Sequence, residues 1–128
     1  MPSTPVQSLK MQCAGIASAQ GLSFALRDFL DRFRESPSLE LLSDSPESLE
    51  PTLQDGGLAD AYIAGVAAYL AHENHWPAPS WAAGTSRALR TPYFAAKTPK
   101  MKALLLQESP LEFRLKHIFV SANALSRA

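Results

Sequence analysis

The stretch from Leu58 to His75, LADAYIAGVAAYLAHENH, constrains the fold of this chain more than any other. Its alanines have the highest intrinsic helix propensity. Leu58, Tyr62, Val66, Tyr69 and Leu70 recur at spacings that share one helical face. The pattern predicts a helix over 58–75, ended by Trp76-Pro77-Ala78-Pro79. The apolar run inside it, Ala59 to Ala71, is broken by Asp60 and Gly65, and it falls short of the ~20 residues that span a bilayer. Gly65 costs up to ~1 kcal/mol relative to alanine and marks a place where another helix can cross closely.

A second strong period lies upstream. Leu22, Leu26, Phe29, Leu30 and Phe33 repeat at helical spacing, with Arg27, Asp28, Asp31, Arg32 and Arg34 opposite them. Ser23 is the expected N-cap and Ser36-Pro37 the stop, because a residue before proline resists the α region. Residues 1–20 have weak periodicity and read as a flexible N-terminal arm or a short, weak helix. Residues 37–50 carry two start signals, Ser36-Pro37 and Asp44-Ser45-Pro46-Glu47, and predict two short helical turns.

Downstream of Pro79 the chain is rich in proline and aromatic residues, and residues 76–98 read as an ordered, irregular segment pinned by Trp76, Trp81, Tyr93 and Phe94. Thr98-Pro99 opens a helix over 100–107 that should bury Met101, Leu104 and Leu105. Ser109-Pro110-Leu111-Glu112 has the form of a capping box and predicts a final helix from Pro110 to His117, with Leu111, Leu115 and either Phe113 or Ile118 in the core. His117 to Ser121 is strand-like but has no evident partner. Phe119 and Leu125 should dock on the domain. The expected fold is therefore all-α: one helical domain over 21–128, a compact bundle of five or six helices, with 22–35 and 58–75 at its centre and the last two helices packed across them.

The 128 residues suit one ordinary domain. One cysteine, Cys13, excludes an internal disulfide framework, and no basic segment followed by an apolar stretch opens the chain, so a cytoplasmic protein is expected. Net charge is zero but polarised. Residues 1–60 hold nine acids against four cations, a net of −5, and residues 61–128 hold eight cations against three acids, a net of +5. No acid occurs between Glu73 and Glu108. Such asymmetry bears on steering and partners rather than on fold. The two halves can pair with each other, the basic half can dock an acidic protein, or it can bind nucleic acid, in that order of preference. Arg87, Arg90, Tyr93, Phe94, Lys97, Lys100 and Lys102 mix cations with aromatics, as phosphate-neutralising, base-stacking surfaces do. A pI near 6.8 argues against a dedicated nucleic-acid module.

Catalytic signatures are missing. His72-Glu73-Asn74-His75 lacks the four-residue histidine spacing of the zinc-protease helix, and two histidines three apart are only weak metal ligand candidates. Cys13 has no neighbouring base, no serine sits in an elbow motif, and there is no P-loop or dinucleotide fingerprint. No cofactor is implied.

Three stretches, ALRDFLDRF, LADAYIAGVAAYLAHENHWPAPSW and the run from RTPYF through PKMKALLLQESPLEFRLKHIFVSANALSRA, together resemble a widespread family of small bacterial proteins encoded beside predicted nucleotidyltransferases. That resemblance covers roughly residues 25–128. It implies the antitoxin or accessory member of a toxin–antitoxin or defence pair, with a nucleotidyltransferase-like protein as partner, and it brings no catalytic residue to carry over. The residues expected at such a contact are Trp81, Arg87, Arg90, Tyr93, Phe94, Arg114, Asn123 and Arg127: arginines for bidentate contacts, aromatics as anchors. The alternatives are a nucleic-acid-binding regulatory module using residues 87–102 and, behind it, a metal-dependent enzyme using His72 and His75.

Overall fold

A computed structural model describes residues 7–51, 53, 56–96 and 98–120. Asn123, Leu125 and Arg127 lie outside the described residues. The described chain is mainly helical: α1 (Leu9–Gln12), α2 (Ala19–Glu35), α3 (Glu40–Ser43), α4 (Gly56–Glu73), α5 (Pro99–Glu108) and α6 (Leu111–Arg114). Two residues each of β1 (Tyr93–Phe94) and β2 (Ile118–Phe119) form a parallel ladder, Tyr93 opposite Ile118 and Phe94 opposite Phe119. None of the described helices is long and apolar enough to cross a membrane.

Helix α4 is the axis of the core. Leu58, Tyr62 and Tyr69 remain half-buried, while Ala59, Ala61, Ile63, Ala64, Val66, Ala67, Leu70 and Ala71 are buried. A helix apolar around most of its circumference belongs inside a domain. Gly65 does mark a close crossing. Phe113 of α6 lies over it, its ring centroid 5.3 Å from that of Tyr62 and 6.4 Å from that of Tyr69. The one charge buried in α4, Asp60, is held by its neighbours: the Leu49 N–H donates to it at 2.8 Å and the Ser48 hydroxyl at 2.5 Å.

Helix α2 follows the expected period. Leu26, Phe29, Leu30 and Phe33 are buried. Phe33 meets Phe29 at 5.6 Å and the edge of Trp76 at 6.1 Å. The helix begins earlier than its period suggests, at Ala19, because the Ser18 hydroxyl accepts from the Gly21 N–H and takes the capping role expected of Ser23.

Five expectations need correction. Residues 9–16 are not a free arm: Leu9, Cys13 and Ile16 are buried in the core, behind a short α1 capped by Ser8. Residues 37–50 hold one helical turn, α3, because Asp44 turns to extended backbone and no helix follows it. The Ser109 capping box does not form. The Ser109 hydroxyl is buried, accepts from the Val120 N–H and shares its one proton between the Leu105 and Val120 carbonyls, so α6 starts at Leu111, after Pro110, without a side-chain cap and lasts one turn. That shortening rotates the pattern: Phe113 and Ile118 are fully buried, whereas Leu111 is 54% and Leu115 37% exposed. Helix α5, capped as expected by Thr98, packs beside β2 and buries only Leu105 among its large apolar residues, leaving Met101 and Leu104 half exposed.

The irregular segment after α4 is laced to the chain beyond α6. The Leu89 N–H donates to the Lys116 carbonyl, Tyr93 to His117 and Ala95 to Phe119, at 2.8–3.0 Å. The buried Lys116 ammonium donates to the Ala82 and Gly84 carbonyls at 2.7 and 2.8 Å. His117 Nδ1 meets the Leu89 carbonyl at 2.5 Å. The strand-like stretch thus finds its partner in Tyr93 and Phe94. Phe119 is half-buried, stacked on Phe94 with centroids 4.6 Å apart.

Candidate functional site

The residues expected at a partner contact separate into three groups. Trp81 and Arg87 are internal fasteners. The Trp81 indole N–H donates to the Leu42 carbonyl at 2.9 Å, and the Arg87 guanidinium lies 5.0 Å from the Trp81 ring. Arg87 Nη2 donates to the Ser45 hydroxyl at 2.8 Å and to the Pro46 carbonyl, tying the irregular segment to the loop after α3. Its other nitrogen, Nη1, is buried without a hydrogen-bond partner. The acidic and basic halves of the chain therefore do meet at Arg87, but through neutral acceptors rather than carboxylates.

Arg87 also acts on two buried neighbours. Burial, with the Arg87 charge adding to it, lowers the Lys116 pKa from 10.5 to about 8. Burial pushes the Cys13 thiol up to about 11, with the Arg87 charge pulling weakly the other way. A buried thiol held protonated is a core residue rather than a nucleophile.

The second group flanks the ladder. Phe94 stacks on Phe119 with the Lys102 ammonium 5.8 Å from its ring, whereas Tyr93 is 41% exposed and Arg90 is exposed. Side chains alternate along a strand, so Tyr93 and Phe94 face opposite sides and cannot form one aromatic anchor. Arg114, the last residue of α6, is exposed. Among the described residues Arg90, Lys100, Lys102 and Arg114 make no ion pair.

Asn123 and Arg127 form the third group and lie outside the described residues.

His72 and His75 do not converge. Helix α4 ends at Glu73, and His75 sits beyond it at φ 61°, in the left-handed turn that closes the helix. The Trp76 N–H completes that turn on the Ala71 carbonyl at 2.9 Å. Among the described residues no group of three or more His, Cys, Asp or Glu side chains is placed to hold a metal ion. His72 instead approaches Glu112, Nδ1 to Oε1 at 3.5 Å. That pair borders a shallow cavity of about 190 Å³ between α4 and α6, lined by Ala68, Trp76, Ala78 and Gly84 and lipped by Leu111 and Leu115.

What sequence periodicity missed is how much apolar surface stays exposed along α5 and around α6. Met101, Leu104 and Leu106 of α5, Leu111 of α6 and Leu115 at its C-cap are 37–54% exposed, in a stretch that also carries Lys100, Lys102 and Arg114. The signal was available in part. In PKMKALLLQE the apolar residues cluster without a clean period, so no single packing could bury them all.

No protein-family model, curated protein or solved structure matches this chain.

Proposed function

We propose that this chain is a non-enzymatic partner protein that binds a cognate protein through its α5–α6 surface. One observation carries the reading: five large apolar side chains stay 37–54% exposed along α5 and around α6, beside cations that make no ion pair among the described residues. Apolar patches rimmed by charge mark interaction sites on soluble domains. The complementary partner surface has an apolar centre and an acidic rim. In keeping with the resemblance of the sequence, the partner is a nucleotidyltransferase-like protein encoded beside this chain, which acts as its antitoxin or accessory subunit.

Co-expression with the neighbouring gene, followed by pull-down and a toxicity assay, tests this. A stable complex that Leu104→Asp or Leu111→Asp weakens is expected. Neither complex nor rescue overturns it.

The alternative, a nucleic-acid module using residues 87–102, has less to stand on. Arg87 is committed to Ser45 and Pro46, and Phe94 to Phe119, which leaves Tyr93 as the exposed aromatic beside Arg90, Lys100 and Lys102. Steeply salt-dependent binding to DNA or RNA would favour it.

A further inference from the structure

The backbone of β1 offers something that the side chains do not. Tyr93 and Ala95 turn their N–H groups toward β2, bonding the carbonyls of His117 and Phe119 at 2.8 and 2.9 Å. In an extended chain the intervening residue points its N–H and C=O the opposite way. Phe94 accordingly has an amide and a carbonyl on the outer edge of the sheet, and neither makes a hydrogen bond among the described residues. The edge is accessible: Thr91, Pro92, Tyr93 and Ala95 are all exposed. The sheet contains only these two strands among the described residues, and two-stranded ladders are marginal without further support.

We infer that the outer edge of β1 receives an extended, acidic segment of the partner protein as a third strand. Strand addition supplies affinity through main-chain hydrogen bonds and specificity through alternate side chains. Charge selects the occupant. Exposed Arg90 precedes the strand, exposed Lys100 and Lys102 follow it, and the sequence has no acid between Glu73 and Glu108. A second copy of β1, or a basic peptide, would set cations against cations, which costs association. An acidic strand meets them favourably. Pro92, two residues before Phe94, falls on the same outer edge and has no N–H to give, so the added ladder is short and cannot run on into open-ended stacking.

This rests on the partner-protein reading above, and the experiment separates the two. Amide hydrogen exchange is followed by NMR on the full chain with a short synthetic peptide alternating valine and glutamate. The Phe94 amide should slow ~10-fold or more, while Tyr93 and Ala95, already bonded to β2, change little. The matching valine–lysine peptide, or a valine–glutamate peptide methylated on every amide, should leave Phe94 unchanged. Arg90→Glu combined with Lys100→Glu should abolish the protection given by the acidic peptide. No protection of Phe94, or equal protection by the lysine peptide, overturns strand addition. The same measurement on the complex with the co-expressed neighbour distinguishes the failures. A stable complex in which Phe94 exchanges as in the free chain overturns strand addition alone, and no complex at all overturns the partner reading with it.

Discussion

A Cβ placed on Gly65 would stand 2.6 Å from Cδ1 and Cε1 of Phe113, closer than carbon atoms can approach. Glycine is therefore the residue that allows α6 to cross α4. Gly65→Ala gains up to ~1 kcal/mol of helix propensity but overpacks a fully buried ring, a fault that costs ~1–3 kcal/mol. The net expectation is a lower midpoint of chemical denaturation with an unchanged slope. Phe113→Leu in the same background should recover part of the loss, because it removes the ring atoms that clash.

Arg87 joins the irregular segment to the loop after α3 while holding a backbone φ of 61°. Arg87→Ala loses the charged hydrogen bonds and the stack on Trp81, and should cost ~2–3 kcal/mol. Arg87→Gly loses the same contacts but relieves the left-handed backbone, so it should be milder than alanine by up to ~1 kcal/mol. Urea denaturation of both variants gives the order directly. If alanine is tolerated as well as glycine, the backbone carries no strain.

Lys116 predicts a specific pH dependence. Burial, with help from Arg87, lowers its pKa from 10.5 to about 8. The cost of burying its charge is fully present below pH 8. Between about 8 and 10.5 the unfolded chain binds more protons than the folded one, so this lysine's contribution to stability rises with pH. The raised pKa values of Cys13, Tyr62 and Tyr69 act in the opposite direction at high pH. A single pH profile would mix these effects, and a difference removes the common ones. The stability of the wild type minus that of Lys116→Met should grow from pH 8 to 10. A flat difference would show that Lys116 titrates normally.

His72 and Glu112 should matter little to stability. The His72 side chain is 78% exposed and the contact is long, at 3.5 Å. His72→Ala should change stability by no more than ~1 kcal/mol. A larger loss in thermal or urea melts would mean that the cavity between α4 and α6 depends on this pair.

How far could the sequence carry these conclusions? Helices α2, α4 and α5 were legible because local signals agree there: the apolar period in α2, alanine density in α4, Thr98-Pro99 at the start of α5. The Ser109 capping box misled for a tertiary reason. Its hydroxyl has a better use between the Leu105 and Val120 carbonyls, and a local motif cannot reveal that competition. The burial of Lys116 was equally hidden, since its acceptors lie 34 and 32 positions away along the chain. Trp81 and Arg87 stood out as candidate partner contacts, while their bonds to Leu42, Ser45 and Pro46 lie some forty positions away along the chain and leave no local trace. Tyr93 and Phe94 read as loop aromatics because a two-residue strand has no alternation to detect. The exposed α5–α6 surface escaped because apolar residues are assigned to a core by default.

The parallel ladder has a kinetic consequence. Parallel strands cannot be joined by a tight turn, and Tyr93 meets Ile118 only after the chain has passed through α5 and α6. Closing so long a loop carries an entropic cost that local hairpins avoid. The β1–β2 pairing should therefore form after the helices themselves, whose hydrogen bonds close over four residues. The edge of β1 comes into being only once that local structure is in place.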